Sequence, residues 1–208
     1  MLSFIDILEY IGTFAFAISG IRYASLHRFD WFGAYVVGFA TAIGGGTLRD
    51  LLLSIPPFWM TKPSYLICTG VALAVTIFFG KKVNHLSRTF MVFDTLGLGL
   101  FVVVGIEKTL AFGFPMWTAI IMGAATGAFG GVLRDVLLNQ EPLIFRKEIY
   151  AMACVLGGIA YWVGLKFGLS SPVVQILAAV VVMITRFLAV QYHISLPVLK
   201  GYDDNPGD

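Results

Sequence analysis

Seven apolar stretches follow one another along the chain, and each is long enough to cross a bilayer as a helix. Roughly 20 helical residues span the ~30 Å hydrocarbon core, and the stretches cover residues 6–24, 33–53, 64–80, 89–107, 116–138, 149–165 and 172–192. Short polar or proline-containing links at 55–57, 81–85 and 170–172 separate some of them. The pattern predicts an all-α integral membrane protein with seven transmembrane helices in a single domain over residues 1–208.

The composition agrees with a membrane protein. Hydrophobic residues make up 58% of the chain and charged residues 12%, whereas soluble domains carry roughly 25% charged side chains. The mean hydropathy is +0.86. The chain has no basic stripe with interleaved aromatic residues, so we expect no nucleic-acid partner. Residues 201–208 are polar and are predicted to be a short disordered tail.

The chain contains an internal repeat. With a shift of 85 positions, Gly-Gly-Thr-Leu-Arg-Asp at residues 45–50 aligns with Gly-Gly-Val-Leu-Arg-Asp at residues 130–135. Further identities are Gly12 with Gly97, Phe16 with Phe101, Gly20 with Gly105, Phe29 with Phe114, Gly38 with Gly123, Thr41 with Thr126, Pro57 with Pro142 and Tyr65 with Tyr150. Repeat one covers about 6–83, repeat two about 91–168, and the seventh helix about 172–192. Because each repeat has three spans, the second must enter from the opposite side, which predicts an inverted repeat.

The basic residues in the links predict the orientation. The links after the first, third, fifth and seventh segments carry the larger share, and this richer side is expected to be cytoplasmic. These residues are Arg22, Arg28, Lys81, Lys82, Arg88, Arg146, Lys147 and Lys200, against Lys62, Lys108 and Lys166 on the other side. We therefore expect a multi-pass protein of the cell (inner) membrane, with its N-terminus outside and its C-terminus in the cytoplasm.

Clustered glycines lie about halfway through the second and fifth segments. They are Gly44, Gly45, Gly46, Gly130 and Gly131. One hypothesis is a kink that opens a path, because unwound backbone at this depth must face protein or water. The alternative is close helix packing, because small residues recur every four positions around them.

Two Arg-Asp pairs follow these glycines inside the segments. Each charge costs about 2.5 to 3.5 kcal/mol on insertion scales, so the groups should be paired and face protein or water. We predict reciprocal pairs across the repeats, Arg49 with Asp135 and Arg134 with Asp50, that line or brace a pore; the alternative is that the charges only hold the halves together. Arg186 is expected to reach the cytoplasmic surface.

Other polar residues offer weaker candidates. Glu9 and Asp94, which are repeat partners, could form cationic vestibules at the two mouths or cap helix N-termini. Three hydroxyl side chains could line a path or bond to their own helices: Ser19, Thr41 and Thr126.

The chain lacks the sequence signatures of enzymes. There is no phosphate-binding or dinucleotide-binding glycine pattern and no nucleophile elbow, and the three histidines are scattered. We predict that the protein is not an enzyme and needs no cofactor and no metal.

The motifs at 44–50 and 130–135 resemble those of prokaryotic members of the trimeric intracellular cation (TRIC) channel family, and the likeness extends from about residue 6 to about residue 191. The resemblance implies a homotrimer in membrane lipid with an ion path inside each subunit. It also implies kinks at the glycines of the second and fifth helices and passage of potassium or other monovalent cations. The second motif has Phe129 where the first has Gly44, so the halves are expected to bend unequally.

Three functions remain open from the sequence. The leading hypothesis is a channel for monovalent cations, mainly potassium, although the chain lacks the carbonyl filter motif of ordinary potassium channels. The alternative is a small-solute, glycine-like transporter, because related sequences are described as glycine transporters and inverted repeats also serve carriers. A third is a scaffold that neither conducts nor transports.

Overall fold

The part of the chain that the structure describes is helical almost throughout. A computed structural model gives residues 3–83, 89–145 and 149–195. Eight α-helices and one 3₁₀ turn, Leu143–Phe145, make up this part. The helices are α1 Phe4–Leu26, α2 Trp31–Leu52, α3 Phe58–Thr61, α4 Ser64–Val83, α5 Thr89–Ala111, α6 Met116–Leu137, α7 Ala151–Lys166 and α8 Ser171–Gln191.

Each predicted apolar segment corresponds to one long helix, with ends that differ by at most a few residues. Five of them, α1, α2, α5, α6 and α8, are long and apolar enough to cross a membrane. The other two apolar helices are shorter, at Ser64–Phe79 and Ala151–Lys166. Helix α7, with 16 residues at 1.5 Å each, extends only about 24 Å, less than the hydrocarbon thickness, and the apolar part of α4 at residues 64–79 has the same length. The structure therefore confirms an all-helical membrane protein with five clear spans. The predicted total of seven membrane crossings stays a prediction.

Local sequence explains where the first helices begin. The Ser3 hydroxyl accepts a hydrogen bond from the Asp6 backbone N–H at 3.1 Å, and the Asp6 carboxylate accepts one from the Ser3 N–H at 3.0 Å. This reciprocal capping box satisfies N–H groups that have no partner inside the helix. The Asp30 carboxylate caps α2 by accepting from the Gly33 N–H at 2.6 Å.

Four helices form the centre of the bundle. Helices α1, α2, α5 and α6 pack on one another, α4 packs mainly against α1, and α7 and α8 pack together beside α6 and α5. The rings of Phe16 and Phe101 stack between α1 and α5 with centroids 5.4 Å apart. Large apolar side chains such as Phe78 and Phe187 are exposed on the outside of the bundle. Such an apolar exterior suits a lipid solvent.

Contacts in the second half reproduce those in the first. A Cβ added at Gly20 would lie 2.8 Å from the Cα of Gly38, and one added at Gly105 would lie 2.8 Å from the Cα of Gly123. The first contact joins α1 to α2 and the second joins α5 to α6. The sequence repeat therefore corresponds to a repeat of helix packing.

Several residues used to predict orientation lie outside the described part of the chain. These are Arg88, Arg146, Lys147 and Lys200, as well as the side chains of Lys81 and Lys82 and the predicted disordered tail at 201–208. The predicted orientation of the termini stays a prediction.

Candidate functional site

The first charge cluster consists of Glu9, Arg49, Asp50 and Lys108, with Tyr65 beside them. Arg49 Nε donates to Asp50 Oδ1 at 2.8 Å, and Arg49 Nη2 lies 3.3 Å from Glu9 Oε1. Lys108 Nζ contacts the same Glu9 oxygen at 2.6 Å. The Tyr65 hydroxyl donates to Glu9 Oε2 at 2.8 Å. Two acids and two bases thus share one cluster, built from α1, α2, α4 and α5.

The second charge cluster consists of Asp94, Arg134 and Asp135, with Ser19 and Tyr150 beside them. Arg134 Nε donates to Asp135 Oδ1 at 2.9 Å, and Arg134 Nη1 donates to Asp94 Oδ1. The same Nη1 donates to the Ser19 hydroxyl at 3.0 Å. Here one arginine faces two carboxylates.

The predicted reciprocal pairing across the repeats is wrong. Arg49 pairs with Asp50, and Arg134 pairs with Asp135, so each arginine bonds to the next residue in the chain. The long guanidinium side chain turns back to reach its neighbour, although successive helical positions point about 100° apart. The clusters are also too far apart, because Glu9 and Ser19 are separated along α1 by about 15 Å at 1.5 Å per residue.

Each motif aspartate also holds the segment that follows its helix. Asp50 Oδ2 accepts from the Phe58 backbone N–H at 2.8 Å, and Asp135 Oδ2 accepts from the Leu143 N–H at 3.0 Å. The first bond anchors the one-turn helix α3, which the sequence did not predict. Each aspartate therefore links its arginine to the next backbone turn.

Burial distinguishes Lys108 from the other charges. The side chains of Glu9, Arg49, Asp50, Asp94, Arg134 and Asp135 are at most 2% exposed, whereas that of Lys108 is 27% exposed. Buried charges are tolerated when they are paired and hydrogen-bonded. In this conformation Glu9 and Asp94 are thus enclosed ion-pair partners rather than surface carboxylates.

Three of the clustered glycines, Gly44, Gly45 and Gly130, lie at a close crossing of α2 and α6, whereas Gly46 faces the Phe58 ring and Gly131 faces the Tyr150 hydroxyl. A Cβ at Gly45 would overlap the carbonyl oxygen of Thr126, and a Cβ at Gly130 would overlap the carbonyl oxygen of Thr41. Both helices run without interruption through these positions. The geometry therefore shows the packing role, while the roles of these glycines as kinks and in a pore stay a prediction.

Two of the three hydroxyl side chains bond to their own helices, whereas Ser19 takes neither predicted role, and the lining of a path stays a prediction. Thr41 and Thr126 donate to carbonyl oxygens of their own helices, those of Val37 and Met122, each at 2.6 Å. Ser19 instead accepts from Arg134 in the second charge cluster.

Arg186 is buried, contrary to the prediction that it reaches the surface. Its Nη1 donates to the Ile149 carbonyl oxygen at 3.2 Å, and its guanidinium lies 4.8 Å from the centre of the Tyr150 ring. A carbonyl oxygen and an aromatic face inside the protein substitute for the water that snorkelling would supply.

Sequence reasoning missed Lys108 and Tyr65 as members of the first charge cluster. Lys108 was used only as one of the basic link residues that predict the orientation, although it directly follows the apolar segment 89–107. Its repeat partner is Tyr23, whose ring lies 5.3 Å from the Arg134 guanidinium. The repeat alignment shows that these two positions correspond, but it carries no sign that either lies beside an arginine.

A family model and curated bacterial membrane proteins both match this chain over most of its length. A family model described as "Glycine transporter" matches the chain twice, over residues 6–81 and 91–166. The UPF0126 inner membrane protein YadS of Escherichia coli is 37% identical over 204 residues, which cover 95% of this chain and 97% of that protein. These matches and the apolar spans indicate a multi-pass inner membrane protein.

Solved structures share the fold over nearly the whole chain. The trimeric intracellular cation channel orthologue from Rhodobacter sphaeroides superposes with a TM-score of 0.86 at 33% identity, covering 91% of this chain and 98% of that one. A structure that describes the basis of conductance through TRIC cation channels gives a TM-score of 0.83 at 34% identity, covering 96% and 98%. The double family match and these full-length likenesses show that this chain belongs to the TRIC channel family, among its prokaryotic members.

Proposed function

We propose that this protein is a passive channel for monovalent cations, mainly potassium, with an ion path inside each subunit of a homotrimer. The solved structures that share its fold are described as TRIC cation channels. The proposal includes seven membrane crossings with the two repeats inverted relative to each other, an outer N-terminus and a cytoplasmic C-terminus.

The observation that carries the proposal is the neutralisation of the two buried arginines. An unpaired guanidinium inside a membrane path would repel cations. Arg49 faces both Glu9 and Asp50, and Arg134 faces both Asp94 and Asp135. Because two carboxylates contact each guanidinium, the arginines do not create a positive barrier to cations.

The path is proposed to run between α2 and α6. Both helices end in an Arg-Asp motif, and between those ends they meet at Gly45 and Gly130. Backbone-to-backbone contact at these glycines leaves no room for an ion, so conduction requires the two helices to separate there. The conformation described here is accordingly a closed one.

Purified protein in planar bilayers tests the function. Light scattering first measures the mass of the protein in detergent, which is expected to be that of a trimer. Single-channel currents are then recorded across a potassium chloride gradient. We expect discrete unitary currents that reverse near the potassium equilibrium potential. As a selectivity control, the variant D135N, which leaves Arg134 with one carboxylate, should shift the reversal potential toward that of chloride.

Other outcomes would contradict the channel. Uptake of labelled glycine into proteoliposomes without unitary currents would indicate a carrier. Neither current nor uptake, from protein that is folded by circular dichroism, would indicate a scaffold.

A further inference from the structure

The second charge cluster has three polar atoms without a partner among the described residues. They are Asp94 Oδ2, Arg134 Nη2 and the Tyr150 hydroxyl, all fully buried. Two of them lie within 4 Å of one position, because a Cβ built on Gly131 would lie 2.6 Å from the Tyr150 oxygen and 3.7 Å from Arg134 Nη2. The third belongs to the carboxylate whose other oxygen binds Arg134 Nη1. Such groups each cost free energy when they are left unsatisfied.

The first charge cluster differs from the second in how its tyrosine and its acid are bonded. There the equivalent tyrosine, Tyr65, donates directly to Glu9 at 2.8 Å. In the second repeat the position of Glu9 is taken by Asp94, whose side chain is one methylene shorter. The shorter carboxylate leaves Tyr150 without the direct bond that Tyr65 makes.

The repeats also differ at the position of Phe58, where the second repeat has a smaller side chain. A Cβ on Gly46 would meet the ring of Phe58, which fills the space above that glycine. The repeat counterpart of Phe58 is Leu143, and at Gly131 the nearest atom is instead the Tyr150 hydroxyl. The second repeat therefore combines a shorter acid with a smaller apolar side chain at the position equivalent to Phe58.

We propose that the second charge cluster binds one water molecule between Asp94, Arg134 and Tyr150. Water accepts from the Arg134 guanidinium, donates to Asp94 Oδ2 and exchanges a third hydrogen bond with the Tyr150 hydroxyl. Buried waters in proteins typically make about three hydrogen bonds to groups that otherwise lack partners. The water takes the place of the methylene that separates Glu9 from Asp94.

The chemistry of the three atoms excludes simple ions as the occupant. A cation would lie against the N–H of Arg134, and an anion would lie against the Asp94 carboxylate. Water both donates and accepts, so it suits an arginine, a carboxylate and a hydroxyl at once. In the first charge cluster Arg49 Nη1 also lacks a partner, but no unpartnered acid or tyrosine oxygen accompanies it, because Glu9 and Tyr65 bond directly.

A crystal structure that resolves ordered water tests the site in the unaltered protein. We expect one density peak at hydrogen-bond distance, roughly 2.7 to 3.2 Å, from each of the three atoms. Data from crystals soaked in rubidium chloride give the identity of the occupant. No anomalous signal is expected at the peak, since water scatters without one.

Two matched variants sharpen the test. In D94E the longer side chain should reach the Tyr150 hydroxyl and remove the peak. In E9D the shortened acid should open the equivalent gap at Tyr65 and create a new peak there.

Three results would overturn the proposal. The first is an empty site in the unaltered protein, with Tyr150 bonded directly to Asp94. The second is a rubidium signal at the peak, which would make the site a cation site. The third is a peak in D94E as strong as that in the unaltered protein.

Discussion

Glu9 serves three donors at once. Arg49 and Lys108 share its Oε1, and the Tyr65 hydroxyl donates to its Oε2. By contrast, Asp6, one turn earlier on α1, pairs with Lys62 at 3.4 Å on the surface. The two acids provide a buried and an exposed ion pair on the same helix.

The variants E9Q and K62A compare these pairs. Removing one partner of a buried ion pair leaves an uncompensated charge and costs about 3 to 5 kcal/mol, so E9Q should lower the free energy of unfolding by about 3 kcal/mol. K62A breaks the exposed pair, which is worth at most about 1 kcal/mol. Unfolding titrations in mixed micelles, followed by circular dichroism, measure both. Equal losses would show that Glu9 does not hold its cluster together.

At the scale of helices, α2 and α6 come into backbone contact. Gly45 and Gly130 each face a carbonyl oxygen of the opposite helix, so a side chain there has no space. Gly70 in α4 differs, because a Cβ added to it would meet nothing within 4 Å. Substitutions at Gly45 and Gly70 therefore distinguish the effect of a clash between helices from the effect of glycine on the stability of its own helix.

G45A should destabilise the protein and G70A should not. Inserting a methyl group against a rigid backbone typically costs about 1 to 3 kcal/mol. Replacing a helical glycine by alanine where space exists instead favours the helix by roughly 0.5 to 1 kcal/mol. Thermal unfolding in detergent should show a lower melting temperature for G45A and an unchanged or higher one for G70A. A G45A variant as stable as the unaltered protein would mean that α2 and α6 do not touch at this point.

For the molecule as a whole, the proposed inversion of the repeats predicts that equivalent positions lie on opposite sides of the membrane. Phe29 and Phe114 are repeat partners in the α1–α2 and α5–α6 links, and both are exposed, by 42% and 43%. The charge asymmetry predicts that the first link lies in the cytoplasm, so the second should lie outside.

The variants F29C and F114C test this arrangement on a background that lacks Cys68 and Cys154. A membrane-impermeant maleimide added to intact cells should label F114C, and F29C should react only after the membrane is opened. Labelling of both from the same side would contradict the inverted repeat, and a reversed pattern would contradict only the orientation.

Much of the fold was predictable because a bilayer restricts it. Backbone groups in lipid must bond within the segment, so long apolar stretches had to become helices, and all seven did. The one-turn helix α3 escaped prediction because its anchor is a side chain, Asp50, that lies eight residues before the bonded Phe58 N–H. Local sequence holds no sign of such a bond.

The sequence by itself determined the helical segments, the repeat and the presence of the two Arg-Asp motifs inside apolar segments, since these depend on hydropathy and on residue type. Only the tertiary structure decided which charges pair. The axial positions of α1 and α5 bring Glu9 to Arg49 and Asp94 to Arg134, and they keep the two Arg-Asp motifs about 15 Å apart. Ion pairing falls off with distance and needs contact, so helix packing rather than residue order selected the partners.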